Sequence, residues 1–448
     1  MKKLLCVLLA LCLSIPLFAC GEVKQTNRSL TIFAPTPELQ EVLEMTLRRY
    51  RSANPEIDVQ LMELPDGCPV FDQEAAIGDK TYLAAYQKEL AAYHNETLPK
   101  FYDSVRNDLI TGKGPDLLLI DDSVFDDIYK VTASGVFYDL NEAFDADPDF
   151  HREEYAEPVL RAGQYRDKQL TVPLFCDFGM LLTTEEALRR TSADPTQFDA
   201  CNRLLKEAAR LTEAEPELRF FYSPEPVRNW LDYSGLQPVD YARKQASLDT
   251  PEFRSIQDSY RTLEQAGALE EPAPNTDSVL KRLEHSAVVS SSNASYLLIQ
   301  SLQLILEEQT PRLFPLRTVD GGIQANVRLS AAIRGGSENR QNAYDFLKLL
   351  MGSEFQSADA YSGYLPLRQI DPESRIDLLQ IQYPALERLP EQYAADYAQW
   401  IGEIDSVAYP SPLSDSIAGY FAPYIRDEAS YEDCLKKAEQ ELAIYVSE

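Results

Sequence analysis

Gly112-Lys113-Gly114-Pro115-Asp116-Leu117-Leu118-Leu119-Ile120-Asp121-Asp122 is the stretch that decides the fold class. Glycine and proline punctuate its start, and four consecutive apolar residues follow, bounded by carboxylates on both sides. So short and uniform an apolar run reads as a strand covered on both faces, as strands of a parallel sheet are. Asp121, Asp122 and Ser123 then fall just past the strand's carboxyl end, where open α/β sheets bind their ligands.

Working outward, the same alternation recurs. Upstream, Ser29 to Ala34 is a β-rich run stopped by Pro35-Thr36-Pro37, after which Leu39, Val42, Leu43, Met45, Leu47 and Tyr50 return at helical spacing. Asn54-Pro55 ends that helix, and Ile57 to Leu61 alternates as a second strand, so a βαβ unit opens the body. A long amphipathic stretch spans Lys80 to Ile110. Downstream, strands are expected at Gln169 to Phe175, Ala287 to Ser290 and Leu329 to Ile333. Helices are expected at Phe198 to Leu211, Glu252 to Gln265, Tyr296 to Leu306 and Glu338 to Met351. From Ile376 the chain reads as mostly helical, and no internal repeat or low-complexity tract is found. A body this long exceeds one ordinary core, so the expectation is an α/β protein of two lobes.

The amino terminus reads as an export signal. Lys2 and Lys3 precede an apolar run from Leu4 to Phe18, too short for a comfortable bilayer span. Glu22 to Arg28 is polar and aperiodic, as a tether would be. The chain carries 42 Lys and Arg against 72 Asp and Glu, a net charge of −30. That balance argues against nucleic acid, and against direct binding to anionic membrane, because both reward a basic face. Cys68, Cys176, Cys201 and Cys434 are scattered without metal-ligand spacing, and any of three disulfide pairings of the four, or none, is compatible with the sequence.

Enzyme signatures are poor. His94, His151 and His285 stand far apart, and no Walker loop, dinucleotide fingerprint or Gly-x-Ser-x-Gly elbow occurs. Ser278-Val279-Leu280-Lys281 fits Ser-x-x-Lys without an accompanying Lys-Thr-Gly. Asp145, Asp147 and Asp149 mimic the start of a calcium loop, but Phe150 stands where glycine is required and Ala156 where the bidentate glutamate belongs. No catalytic residue, metal or cofactor is expected.

Two resemblances sharpen this reading. Leu17-Phe18-Ala19-Cys20-Gly21 resembles the bacterial lipobox, which implies a signal peptide over 1–19, a lipidated Cys20 and a tether over 20–28. Tyr50 to Pro55, Gly112 to Asp116, Ala133 to Leu140, Asp167 to Pro173, Ala331 to Asn339, Ala343 to Leu347 and Gly363 to Arg368 occur in the order seen in family 1 extracellular solute-binding proteins of the maltose-binding type. The resemblance implies a two-lobed periplasmic-binding-protein-like fold of type II. Each lobe would be a mixed sheet flanked by helices, the first over 29–142 and 312–352, the second over 143–311 and 353–448, with a ligand cleft between them. It implies a monomer that binds a small-molecule solute and hands it to the transmembrane subunits of an ABC permease, on the outer face of the cell membrane and joined to it through the lipid alone. The sequence departs from the family where Leu182-Thr183-Thr184 replaces its usual Tyr-Asn-Lys. It has only two tryptophans, Trp230 and Trp400, although 25 tyrosines could serve as sugar platforms.

A sugar site needs carboxylate or amide acceptors beside aromatic platforms. Asp121 and Asp122 qualify by position, with helix capping as their plain alternative. Asp177 matches by its place in the motif an acidic ligand-binding position of maltose-type relatives, which makes Cys176 and Phe178 candidate cleft neighbours. Trp230, Tyr361 and Tyr364 are the candidate platforms, with core packing as their alternative. Thr36 and Glu38 open the first helix, where amides hold polar ligands or simple capping suffices. The expected solute is an oligosaccharide or sugar derivative, with a cationic solute such as a polyamine as the second class. A ligand-binding sensor subunit for a kinase and a membrane-tethered, carboxylate-based glycoside hydrolase are the alternatives in function.

Overall fold

The computed structural model describes residues 29–72, 80–215, 219–222, 230–269, 278–357, 363–369, 377, 379–381 and 383–447. Strand β1 (Ser29–Phe33) runs through Thr36, whose hydroxyl accepts the Leu39 amide at 3.3 Å, into helix α1 (Pro37–Ala53). Pro37 suits the first turn because its missing N–H would have no helical partner there, and Leu39, Leu43, Leu47 and Tyr50 form one buried stripe. Strand β2 (Asp58–Leu61) follows, then α2 (Lys80–Ala92), a π turn over Tyr93–Thr97 and α3 (Leu98–Ile110), which together make up the expected amphipathic stretch. Next come β3 (Leu117–Ile120), α4 (Ile128–Ala133), β4 (Val172–Phe178) and β5 (Met180–Thr184).

The middle of the chain supplies α5 (Cys201–Ala214), β6 (Arg219–Phe221), α6 (Pro251–Gln265), β7 (Ser286–Ser291), α7 (Ala294–Leu306) and β8 (Pro311–Pro315). It closes with β9 (Ile323–Ile333), α8 (Arg340–Met351), β10 (Leu365–Pro366), α9 (Glu391–Gly402), β11 (Ile404–Ala408), α10 (Ser414–Ile425) and α11 (Tyr431–Ser447). The strand expected at Leu329 is longer than its apolar signal, because Gln324, Asn326 and Arg328 break the hydrophobic pattern inside an otherwise buried ladder.

Two sheets organise these elements into two lobes. The first runs β10-β4-β9-β3-β1-β2, with β11 also on β9, and the second runs β8-β5-β7-β6. β1 pairs in parallel with β2 and β3, whereas β9 runs antiparallel to β3 and β4. Along β3, Leu117 and Leu119 join one hydrophobic cluster and Leu118 and Ile120 another, so both faces of the first sheet are covered. A third cluster gathers α5, α6, α10 and α11 onto the second sheet. The Asp-116 end of the opening motif is a knot. Its carboxylate accepts from Thr31 N at 2.9 Å, Ser337 Oγ at 2.6 Å and Asn339 Nδ2 at 3.0 Å, and pairs with Arg334 at 3.4 Å.

Among the described residues the chain passes from one lobe to the other at three places: Gly179, the segment from Leu316 to Gly322, and the segment from Tyr409 to Leu413, which leads to the helices of the second lobe. Gly179 lets the chain pass close to its neighbours, since a Cβ there would sit 2.5 Å from Leu316 Cδ1 and 2.9 Å from Tyr233 Cε1, and those side chains would have to shift. Asp232 ties two of the passages together. Its carbonyl accepts Gln324 Nε2 at 2.7 Å and Asn326 Nδ2 at 3.0 Å, and its Oδ1 accepts Ser411 N at 2.6 Å. No change of sheet occurs at 142/143 or 352/353: β4, β10 and β11 are laddered into the first sheet, and β8, with residues 312–315, belongs to the second. The wholly buried backbone of β4 needs ladder partners on both sides, and β9 and β10 supply them.

Cys68, Cys176, Cys201 and Cys434 are all unbridged, and burial pushes the Cys201 thiol up to about 12. Among the described residues no helix is long and apolar enough to cross a membrane, and no group of three or more His, Cys, Asp or Glu is placed to hold a metal ion. Cys20, with the signal and tether, lies outside the described residues.

Candidate functional site

The carboxyl ends of β1 and β3 and the start of α1 meet at a cavity of about 330 Å³, within the ~300–1,000 Å³ usual for small-molecule sites. Thr36, Glu38, Asp121, Phe175, Arg328 and Tyr364 line it together with apolar residues of α1 and β9. Four residues singled out from the sequence, Thr36, Glu38, Asp121 and Tyr364, therefore share one cavity. Every residue that lines it belongs to the first lobe, and two hydrogen bonds set the start of α7 beside that lobe: Arg328 Nη2 donates to Ser292 O at 3.0 Å, and Ser295 Oγ donates to Gly363 O at 2.7 Å. Both bonds join the first lobe to the start of α7.

Each polar group is held by its own segment. The Thr36 hydroxyl caps α1 while lining the cavity, so capping and ligand contact are compatible roles here. Asp121 Oδ1 accepts Ser123 N at 3.0 Å and Ser123 Oγ at 2.6 Å. Burial, reinforced by Asp122 and opposed by the Ser123 bonds, raises the Asp121 carboxyl above its ordinary range. Asp122 is exposed and does not line the cavity, although its charge reaches Arg328 and Tyr364. Burial and the charge of Asp177 raise the Tyr364 hydroxyl, with Arg328 opposing them.

Asp177, Phe178 and Trp230 do not line this cavity. Asp177 is wholly buried, its Oδ1 accepting Phe178 N at 2.8 Å and Ala294 N at 3.4 Å, so it anchors the first turn of α7 beneath the cavity. Phe178 is also wholly buried and stacks on Tyr397 at 5.9 Å. Alternation along a strand sends its ring to the core side, away from the cavity. Trp230 packs against Phe253 at 5.6 Å within the core of the second lobe. Tyr361 lies outside the described residues.

Arg328 is the residue the sequence reading missed. The signal was present: a lone guanidinium inside a buried strand must find partners or serve a function, because burying an uncompensated charge is costly. Three larger cavities occur among the described residues; one, of about 470 Å³, also gathers carboxylates, an arginine and tyrosines, among them Tyr129, Arg166, Asp232, Asp240 and Tyr241, whereas the other two lack this convergence. One of about 410 Å³, behind the first sheet, has a largely apolar lining that includes Val159, Cys176, Leu365 and Ile401. One of about 850 Å³, between α5 and α6, is lined by charges already paired to one another, such as Glu207 with Arg210.

No family model matches the chain, and no curated protein matches it by sequence. Solved structures do match in fold. The sugar-binding protein MalE from Xanthomonas citri superposes with a TM-score of 0.61 at 14% identity, over 94% of this chain and 97% of that one. A cyclic alpha-maltosyl-1,6-maltose binding protein from Arthrobacter globiformis gives 0.58 at 14% identity, over 93% and 98%. An ABC transporter solute-binding protein from Thermotoga lettingae, bound with alpha-D-tagatose, gives 0.52 at 13% identity, over 94% and 100%. At such identities the likeness is one of fold, and that fold is the two-lobed one of sugar-binding solute-binding proteins.

Proposed function

We propose that this chain is the lipid-anchored solute-binding component of an ABC importer and captures an oligosaccharide or sugar derivative as its lobes close. The observation that carries the reading is the cavity at the carboxyl ends of β1 and β3. There Glu38 and Asp121 offer hydroxyl acceptors, Arg328 offers donors, and Tyr364 and Phe175 offer ring surface, the complement a polyhydroxyl solute needs. In a two-lobed fold, closure would bring the second lobe over a solute held in this cavity and so couple binding to closure. The fold shared with sugar-binding proteins supports the solute class. The lipobox-like Leu17 to Gly21 supports anchoring through Cys20 on the outer face of the membrane, where a permease would receive the closed form. The role proposed is reversible binding without bond cleavage.

Calorimetry of the signal-free protein against neutral oligosaccharides, amino acids and polyamines tests the solute. Saturable binding of at least one saccharide is expected, and failure of every saccharide overturns the assignment. Cys20→Ser is expected to move the protein from the membrane fraction to the medium, and retention at the membrane would remove the anchor.

A further inference from the structure

We infer that Arg328 is a solute-contacting residue whose guanidinium grips neighbouring oxygens of a neutral saccharide. This rests on the sugar-binding reading and deepens it, by naming the group that holds the oxygens of the solute.

The first observation is how Arg328 reaches the cavity. Val327 pairs with Cys176 and Leu329 with Phe175, so the β9 ladder advances two residues while β4 advances one, and Arg328 is the extra residue of a bulge. A bulge re-aims a side chain that regular pleating would send elsewhere. In β9 it sets a charged side chain into the cavity while Val327 and Leu329 beside it stay buried.

The second observation is what the guanidinium lacks. It presents five N–H donors in a flat fork. Among the described residues its one hydrogen bond is from Nη2 to Ser292 O, and no carboxylate forms an ion pair with it. Donors left at a cavity wall call for acceptors from the occupant, and a fork fits two adjacent oxygens better than one.

The third observation is the surrounding charge. Glu38 and Asp121 share the cavity, and Asp177 and Asp122 are near enough to favour the charged form of Arg328 against burial. A solute carboxylate would meet Glu38 and Asp121, while a solute ammonium would set the attraction of those carboxylates against the charge of Arg328. A neutral vicinal diol meets neither penalty, accepting from Arg328 and donating to the carboxylates.

The test is titration calorimetry of a neutral oligosaccharide panel and of spermidine with the wild type, Arg328→Lys and Arg328→Met. Because Arg328→Met leaves Asp177 buried without its neighbouring cation, the pair Arg328→Met with Asp177→Asn is measured too, with thermal unfolding as the check on folding. The expected result is saccharide binding that weakens about tenfold in Arg328→Lys and about a hundredfold in folded Arg328→Met or the pair. The saccharide-to-spermidine preference should fall with it. Saccharide affinity within threefold of wild type in a folded methionine variant overturns the role of Arg328 and leaves the sugar-binding reading standing. Wild-type protein that binds spermidine and no saccharide overturns both.

Discussion

Asp116 accepts the hydroxyl of Ser337 at 2.6 Å across 221 residues of chain. The same carboxylate takes the Thr31 amide and the Asn339 side chain and pairs with Arg334. One buried residue thus holds β1, β3 and the turn after β9 in register at the end of the sheet opposite the cavity. Its partners would be left desolvated and unsatisfied by its removal. Asp116→Ala is expected to cost about 3–5 kcal/mol, the range for breaking a buried charge network. Chemical unfolding followed by circular dichroism measures it, and a loss below 1 kcal/mol would show the knot to be dispensable.

A second carboxylate joins the lobes. Asp127 caps α4 through Tyr129 N and Lys130 N, and its other oxygen accepts the hydroxyls of Tyr241, at 3.1 Å, and Tyr445. Tyr129 stacks on Tyr241 at 5.1 Å, and Lys130 lies 3.6 Å from the centre of the Tyr445 ring. Tyr241→Phe combined with Tyr445→Phe leaves the cap intact and removes only the inter-lobe hydrogen bonds. The solute-free double variant should lose about 1–3 kcal/mol of stability and show a larger radius of gyration by small-angle X-ray scattering. An unchanged radius would mean these tyrosines do not restrain the lobes.

Asp121 makes solute binding depend on pH. As a carboxylate it accepts solute hydroxyls, so affinity should be full above its pKa and fall as the pH drops through it. Burial raises that pKa, so the loss should begin at higher pH than for an ordinary aspartate of about 3.9. Stability carries the opposite sign. A raised folded-state pKa means that the contribution of the protonated group is present at low pH and lost as the pH rises through the folded value. Asp121→Asn should flatten both profiles. Affinity that is level from pH 7 to pH 4 in the wild type would exclude Asp121 from the solute contact.

Much of the first lobe was legible because its signals are local. Four apolar residues between carboxylates, set off by glycine and proline, read as a strand covered twice, and Leu117 to Ile120 divide between two cores as that pattern requires. Thr36 before Pro37 announced a helix start, and Asp121 a strand end, so the cavity could be approached from sequence. Asp177, Phe178 and Trp230 were harder. Motif position brings a residue near the crossing of the lobes, but whether its side chain meets solvent or core depends on strand alternation and on which helix covers it.

The sequence by itself determined the alternation of strands and helices, the acidic surface charge and the polar residues at strand and helix ends, because these follow from neighbours within a few positions. Tertiary structure decided where the chain changes sheets, since ladder partners for β4 come from residues more than 140 positions later. It also decided that Arg328 belongs to the cavity. One extra residue in a ladder reverses the direction of a side chain, and that register exists only once β4 and β9 have paired.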